Sequence, residues 1–245
     1  MLLNKLANIS TKFVEFPFQV LLTQFNQSEC QSLKDNTLLS WLKFRAPTCV
    51  DRTLEYPWML KNLEFEKGEL LDVGSTVGEM LYDLLPQNVE ITVLNIKFTK
   101  KIKHIKQVEG DIRSTGFRSN SFDRITCIST LEHIGVKGRY GVERDDKGDI
   151  KAMNEMLRIL KPGGRLILTV PWGARDVLPI NKLYNSQRMA QLFYGYIVRK
   201  SEFLKYNDRY DLWLSVPEEQ AGKVDWLKNK WYALGLFVLE KQTGA

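Results

Sequence analysis

The sequence predicts an α/β fold: a doubly wound, mostly parallel sheet of seven strands preceded by an N-terminal helical cap. Three observations predict it. From Glu69 onward short apolar runs bounded by glycine or charge alternate with helical stretches, the runs are apolar almost throughout, and the first 65 or so residues carry no strand pattern. Continuous apolar runs suit strands buried on both faces, the condition of a parallel sheet covered by its crossover helices. The domain boundaries that follow are a cap over residues 1–65 and a main domain over residues 66–245.

In the cap, TLLSWLKFRA and RTLEYPWMLKNL repeat apolar residues at intervals of three and four, the helical period. The strands that follow are LLDV (70–73), VEITVLN (89–95), FDRITCIS (122–129) and GRLILTV (164–170), with helices at 77–85 and 149–160. The stretch from Asn95 to Asp111 must hold a turn and a further strand around IKQVEGD, so the helix between the second and third strands is short or absent. The tail adds a helix at NSQRMAQLF, a strand at GYIVRKSEF, a Trp-rich helical stretch over PEEQAGKVDWLKN and a last strand at ALGLFVLEK. There is no internal repeat and no low-complexity linker.

A chain of 245 residues that is 44% hydrophobic, 11% aromatic and 26% charged lies in the globular range, which excludes disordered and collagenous classes. With 35 Lys+Arg against 29 Asp+Glu the net charge is +6, mildly basic, which leaves an anionic partner open. Cys30, Cys49 and Cys127 are odd in number and lack metal-ligand spacing, so neither a disulfide framework nor a zinc site is expected. No leader-like segment and no run of ~18 apolar residues is present, so the chain is expected to be cytoplasmic, with no membrane span.

In open parallel sheets ligands bind outside the carboxyl ends of the strands. Strand one ends in LLDVGSTVGEM, where Gly74 and Gly78 open a helix whose free N–H groups attract anions. A dinucleotide fingerprint would need glycine at 74, 76 and 79, but 76 is Thr and 79 is Glu. This segment resembles the first motif of class I S-adenosylmethionine-dependent methyltransferases, an acid followed by GxGxG: Asp72, Gly74 and Gly78 match and Thr76 replaces the middle glycine. Asn95 stands where that family has an acid for the ribose hydroxyls. EGDIRSTGF is similar to its Gly-Asp element, which gives Asp111 the adenine amino group and Ile112 the ring face. SNSFDRITCISTLEHIG and MLRILKPGGRLILTVPWG look like its fourth and fifth strand regions.

The resemblance implies a Rossmann-like fold and S-adenosyl-L-methionine as cofactor, held by Asp72, Gly74, Ser75, Thr76, Gly78, Asn95, Asp111, Ile112 and Ser129. More narrowly, GSTVGE, STLEHIG, GRYG and KPGGRLILTVPWG resemble a poorly characterised methyltransferase-like group associated with polysaccharide assembly. That implies a small-molecule or saccharide-type acceptor, methylated at oxygen, with no metal. His133, beside Glu132 after strand four, is the candidate general base, because a near-neutral imidazole can take a hydroxyl proton. Candidate substrate contacts are Arg52 and Tyr56 before strand one, Arg139 and Tyr140 in the insertion GVKGRYGVERDDKGD, and Trp172 after strand five. The basic run from Lys97 to Lys106, which includes His104, reads as a solvated face. The alternatives are an RNA methyltransferase and a degenerate fold serving as a non-catalytic binding subunit, the latter motivated by Thr76 and Asn95.

Overall fold

The structure, a computed structural model, describes residues 51–64, 66–75, 82, 84–136, 142–178, 181–207, 212–229 and 231–243. TLLSWLKFRA and most of the stretch expected to be helical at 77–85 lie outside them. Of the expected cap, the described part is helix α1, Arg52–Leu63, begun by the Asp51 carboxylate accepting from the Arg52 N–H at 2.9 Å. Its buried apolar residues, Leu54, Trp58, Met59 and Leu63, fall on one helical face.

The strands are β1 (Gly68–Val73), β2 (Val89–Asn95), β3 (Lys106–Glu109), β4 (Phe122–Ile128), β5 (Leu160–Trp172), β6 (Tyr196–Asn207), β7 (Leu212–Ser215) and β8 (Ala233–Lys241). They form one sheet in the order β3-β2-β1-β4-β5-β8-β6-β7. The first five are parallel, β8 runs antiparallel to β5, and β6 runs antiparallel to β8. The sheet therefore has eight strands where seven were expected. The extra one is β7, four residues pairing antiparallel with the end of β6, too short a run (LWLS) to announce itself. Asn95 runs to Lys106 without a helix, as the short spacing required.

Helices α2 (Gly148–Ile159) and α3 (Ser186–Leu192) cover one face and α1 the other; α4 (Glu218–Gly222) and α5 (Trp226–Asn229) are short tail helices. Alternation along β5 shows the two faces: Leu166, Leu168 and Val170 join the core under α2 and α3, while Ile167 joins the core under α1. Before Arg165 the KPGG segment loops out of register, since Phe122 pairs with Leu160 but Arg124 with Arg165, and Gly163 takes φ +72°. No helix among the described residues is long and apolar enough to cross a membrane.

One sequence expectation is corrected by the packing. Trp172 was placed at the substrate, but it is 1% exposed, with its ring 4.9 Å from Phe203 and 5.7 Å from Phe237. Gly235 on the paired strand makes the room: a Cβ there would come within 2.8 Å of the indole. Its role is packing, so Trp172→Ala should lower stability by about 3–5 kcal/mol in urea denaturation. A loss below about 1 kcal/mol would mean that the indole does not anchor this core.

Candidate active site

The carboxyl ends of β1, β2, β3 and β4 converge on one cleft of about 780 Å³, a volume that includes space open to solvent. Gly74, Asn95, Asp111, Ile112 and Ser129 line it from the sheet side; Arg52 of α1 and His133 of the 3₁₀ turn Leu131–His133 complete the wall. Seven residues named from sequence thus share one cavity. Thr76, Gly78, Arg139 and Tyr140 lie outside the described residues.

Gly74 is fixed by its neighbours. It takes φ +95°, and a Cβ would stand 2.5 Å from Thr130 Oγ1 and 2.7 Å from Thr130 Cγ2. Thr130 Oγ1 donates to the Ile128 carbonyl at 3.0 Å, with the Val73 carbonyl at 3.3 Å, so its side chain ties the ends of β4 and β1 together. Ser75 follows at φ +54°. Asp72 is fully buried beneath the cleft rather than on its wall, accepting from Tyr82 Oη at 2.7 Å and Thr126 Oγ1 at 2.8 Å. Burial, and then the Asp72 charge, push the Tyr82 phenol far above its ordinary range, which keeps it a donor. Tyr56 is half-buried and packs on the α1-side core.

Glu55, which sequence reading missed, is the hub of the α1 wall. It is fully buried and accepts from Arg52 Nη1 at 2.5 Å, Ser129 Oγ at 2.5 Å and Thr169 Oγ1 at 2.6 Å. One carboxylate thereby joins α1 to the ends of β4 and β5 and orients Arg52 along the cleft wall. Burial raises its pKa, opposed by the Arg52 charge and the two hydroxyl donors. The only sequence signal is an acid three residues after an Arg, which any solvated helix can show.

At the β3 end, Asp111 is already engaged. Arg113 meets it with its backbone N–H (2.9 Å), Nε (3.0 and 3.1 Å) and Nη2 (2.6 Å), and Nη1 reaches Asp145 at 3.2 Å. Burial raises the Asp111 carboxyl, but the Arg113 hydrogen bonds outweigh it and hold it below the usual range. A carboxylate has about four lone-pair sites, so little acceptor capacity is left for a ring amine. Asn95 Oδ1 accepts from the Ile96 N–H at 2.8 Å.

His133 Nε2 lies 3.7 Å from Glu132 Oε1. Glu132 is 2% exposed, its Oε2 has no hydrogen-bond partner among the described residues, and burial pushes its carboxyl up to about 8. Near neutrality Glu132 is therefore mostly protonated, and His133 sits beside an acid rather than a full negative charge.

Because the native state holds the Glu132 proton more tightly than an unfolded glutamate near 4.3, its contribution is fully favourable below about pH 4 and is lost as pH rises to about 8. Glu132→Gln should flatten that decline and exceed the parent in stability above about pH 8. Urea midpoints at the two ends of the range test this; a parent-to-variant difference that does not change with pH would show that folding leaves the Glu132 carboxyl unshifted.

Residues 85–221, more than half of the chain, match the profile described as Caenorhabditis protein of unknown function, DUF268. An uncharacterized protein of Methanocaldococcus jannaschii is 31% identical over 119 residues, 47% of this chain and 47% of that protein. "Probable tRNA methyltransferase 9B" of Bos taurus is 29% identical over 145 residues, 52% of this chain and 29% of that protein. The ubiquinone/menaquinone biosynthesis C-methyltransferase UbiE of Citrobacter koseri is 27% identical over 114 residues, 46% of this chain and 40% of that protein. The matches span about half or less of these relatives. Among solved structures, the [4+2]-cyclase SpnF superposes with a TM-score of 0.55 at 18% identity, covering 78% of this chain and 80% of that one. N-methyltransferase NodS of Bradyrhizobium japonicum, in complex with S-adenosyl-L-homocysteine, gives 0.53 at 15% identity, covering 94% and 99%. Such likeness shows the fold, that of class I S-adenosylmethionine-dependent methyltransferases. The chain belongs to the DUF268 family, Caenorhabditis protein of unknown function, and carries it on this methyltransferase fold.

Proposed function

We propose that the chain is an S-adenosyl-L-methionine-dependent methyltransferase that acts on an oxygen of a small-molecule or saccharide-type acceptor. The observation that carries this is the convergence of Gly74, Asn95, Asp111 with Ile112, and Ser129, from four separate strand ends, on one cleft. The donor fits these residues: Gly74 offers backbone with no Cβ, Asn95 an amide for ribose hydroxyls, and Ile112 an apolar face for a ring. When bound, S-adenosyl-L-methionine supplies an activated methyl group on a sulfonium.

The chain's own residues do the rest. Arg52, oriented by Glu55, would grip an anionic group, and His133 would accept the acceptor hydroxyl proton. Arg139 and Tyr140 of the insertion would also contact the acceptor, with Tyr56 supporting the α1 wall. Aligning the acceptor and excluding water are the main contributions asked of the cleft. The odd cysteine count and the buried free thiol of Cys127 suit a reducing compartment such as the cytoplasm. The resemblance to a group associated with polysaccharide assembly supports the saccharide-type acceptor.

Two other readings each have a specific observation in their favour. Similarity to the bovine protein named for tRNA methylation favours an RNA acceptor. The Arg113 fork on Asp111 favours a non-catalytic subunit, because it occupies the acid that the resemblance assigns to adenine.

Calorimetric titration with S-adenosylhomocysteine separates these readings. The parent should bind, Gly74→Ala should bind at least about tenfold more weakly because the new methyl collides with Thr130 at positive φ, and Asn95→Asp should bind more tightly through a charged acceptor. A folded parent that does not bind is the non-catalytic subunit. With labelled donor and a hydroxyl acceptor, His133→Ala should lower turnover by about 10²–10⁴ and leave S-adenosylhomocysteine affinity unchanged. Full turnover would remove His133 as base, and label found only in RNA would replace the acceptor class.

A further inference from the structure

The connection from β2 to β3 carries charge that neither the packing nor the cleft uses. Residues 97–106 read KFTKKIKHIK, five lysines and a histidine without an acid. The chain's formal net charge is +6, so all other residues together contribute only +1. The basic character of the protein is one local feature.

That feature is built rather than loose. Ile102 is buried, and Phe98 and Ile105 pack half-buried on the α1-side core, which turns Lys97, Lys100, Lys101, Lys103, His104 and Lys106 outward, all exposed. Side chains of β3 fasten the backbone: the Ile102 N–H donates to Gln107 Oε1 at 2.8 Å, Gln107 Nε2 to the Lys100 carbonyl at 3.0 Å, and the Phe98 N–H to Glu109 Oε1 at 2.9 Å. Glu109, the nearest acid along the chain, is thus engaged by backbone. Lys97, Lys101, Lys103 and Lys106 form no ion pair within 4.0 Å among the described residues. The ridge leads into β3, the terminal strand of the sheet, and adjoins Ile96, itself part of the cleft wall.

We propose that this ridge is a docking surface for an anionic polysaccharide chain and that it presents the chain to the cleft. The second clause rests on the methyltransferase reading of the cleft; the first does not. Charge of this kind recognises a linear polyanion. Single-stranded nucleic acid adds base stacking, and the one aromatic residue of the ridge, Phe98, faces the core. A bilayer surface adds apolar insertion, and the isoleucines between the lysines also face the core. The cations are lysines, point charges without the planar fork that arginine offers to single phosphates. What the ridge offers is recognition by charge along an extended chain.

The test uses the full chain with three probes: a heparin oligosaccharide, polyuridylate, and phosphatidylserine vesicles, titrated between about 50 and 200 mM salt. Binding by several lysines releases counterions, so log K for the oligosaccharide should fall with log salt at a slope of about −2 to −3. Replacing Lys101, Lys103 and Lys106 together by Gln should weaken oligosaccharide binding at least about tenfold and flatten the slope by about 2, with S-adenosylhomocysteine affinity unchanged. Equal oligosaccharide binding by parent and variant would overturn the ridge as the surface. Tighter binding of polyuridylate or of vesicles would overturn the choice of partner. A parent that binds the oligosaccharide through the ridge but not S-adenosylhomocysteine supports docking and overturns presentation.

Discussion

The contact of the Thr130 side chain with the bare Cα of Gly74 is the constraint on which the cleft depends. β1 lies between β2 and β4, so the chain leaves β1 toward one side of the sheet and returns to fill the other, and the strand order reverses at that point. Two connections must diverge there without leaving the ends of β1 and β4 frayed. Thr130 does this by bonding the carbonyl of Ile128 while its hydroxyl also lies at the carbonyl of Val73, and the space it occupies is the space a Cβ at 74 would need. Glycine at 74 is thus a packing requirement as well as an opening for a ligand.

The second tier of the site is ionic and sits where packing alone would give no direction. Glu55 is withdrawn from water completely, which is unfavourable for a carboxylate unless its oxygens are well matched. Three donors from α1, β4 and β5 match them, so α1 docks in one orientation and Arg52 points along the wall. The Arg113 fork does the equivalent at the other end, tying the β3 end through Asp111 to Asp145 ahead of α2.

How much of this was legible in the sequence follows from what kind of signal each part leaves. β1, β2, β4 and β5 are buried on both faces, so their apolar runs stand out, and the missing helix after β2 follows from the short spacing alone. β7 left no signal because four residues pairing with one neighbour need no pattern of their own. At the site, residues on the strand ends were legible because backbone position fixes them. Trp172 was misjudged because position at a strand end does not say which way a ring turns, and Gly235, the residue that decides it, lies far along the chain. Glu55 and the hold of Arg113 on Asp111 were invisible for the same reason: a carboxylate does not reveal its partner. The nearness of Arg113 to Asp111 in sequence was in plain view, yet the same two residues could equally have pointed apart.

Charge is distributed so that the cleft and the ridge act at different ranges. In and beneath the cleft wall the acids have local partners: Asp72 two hydroxyls, Glu55 the Arg52 guanidinium, Asp111 the Arg113 fork, Asp145 both Arg113 and Lys151, and Glu132 its own retained proton. Lys97, Lys101, Lys103 and Lys106 form no ion pair within 4.0 Å among the described residues, so they add positive potential beside the cleft mouth. At physiological ionic strength that potential decays over about 8 Å, and the ridge starts at the residue after Ile96, on the cleft wall itself. An anionic chain would therefore feel the ridge on approach and at the mouth, whereas any chemistry inside would answer to Arg52, Glu132 and His133.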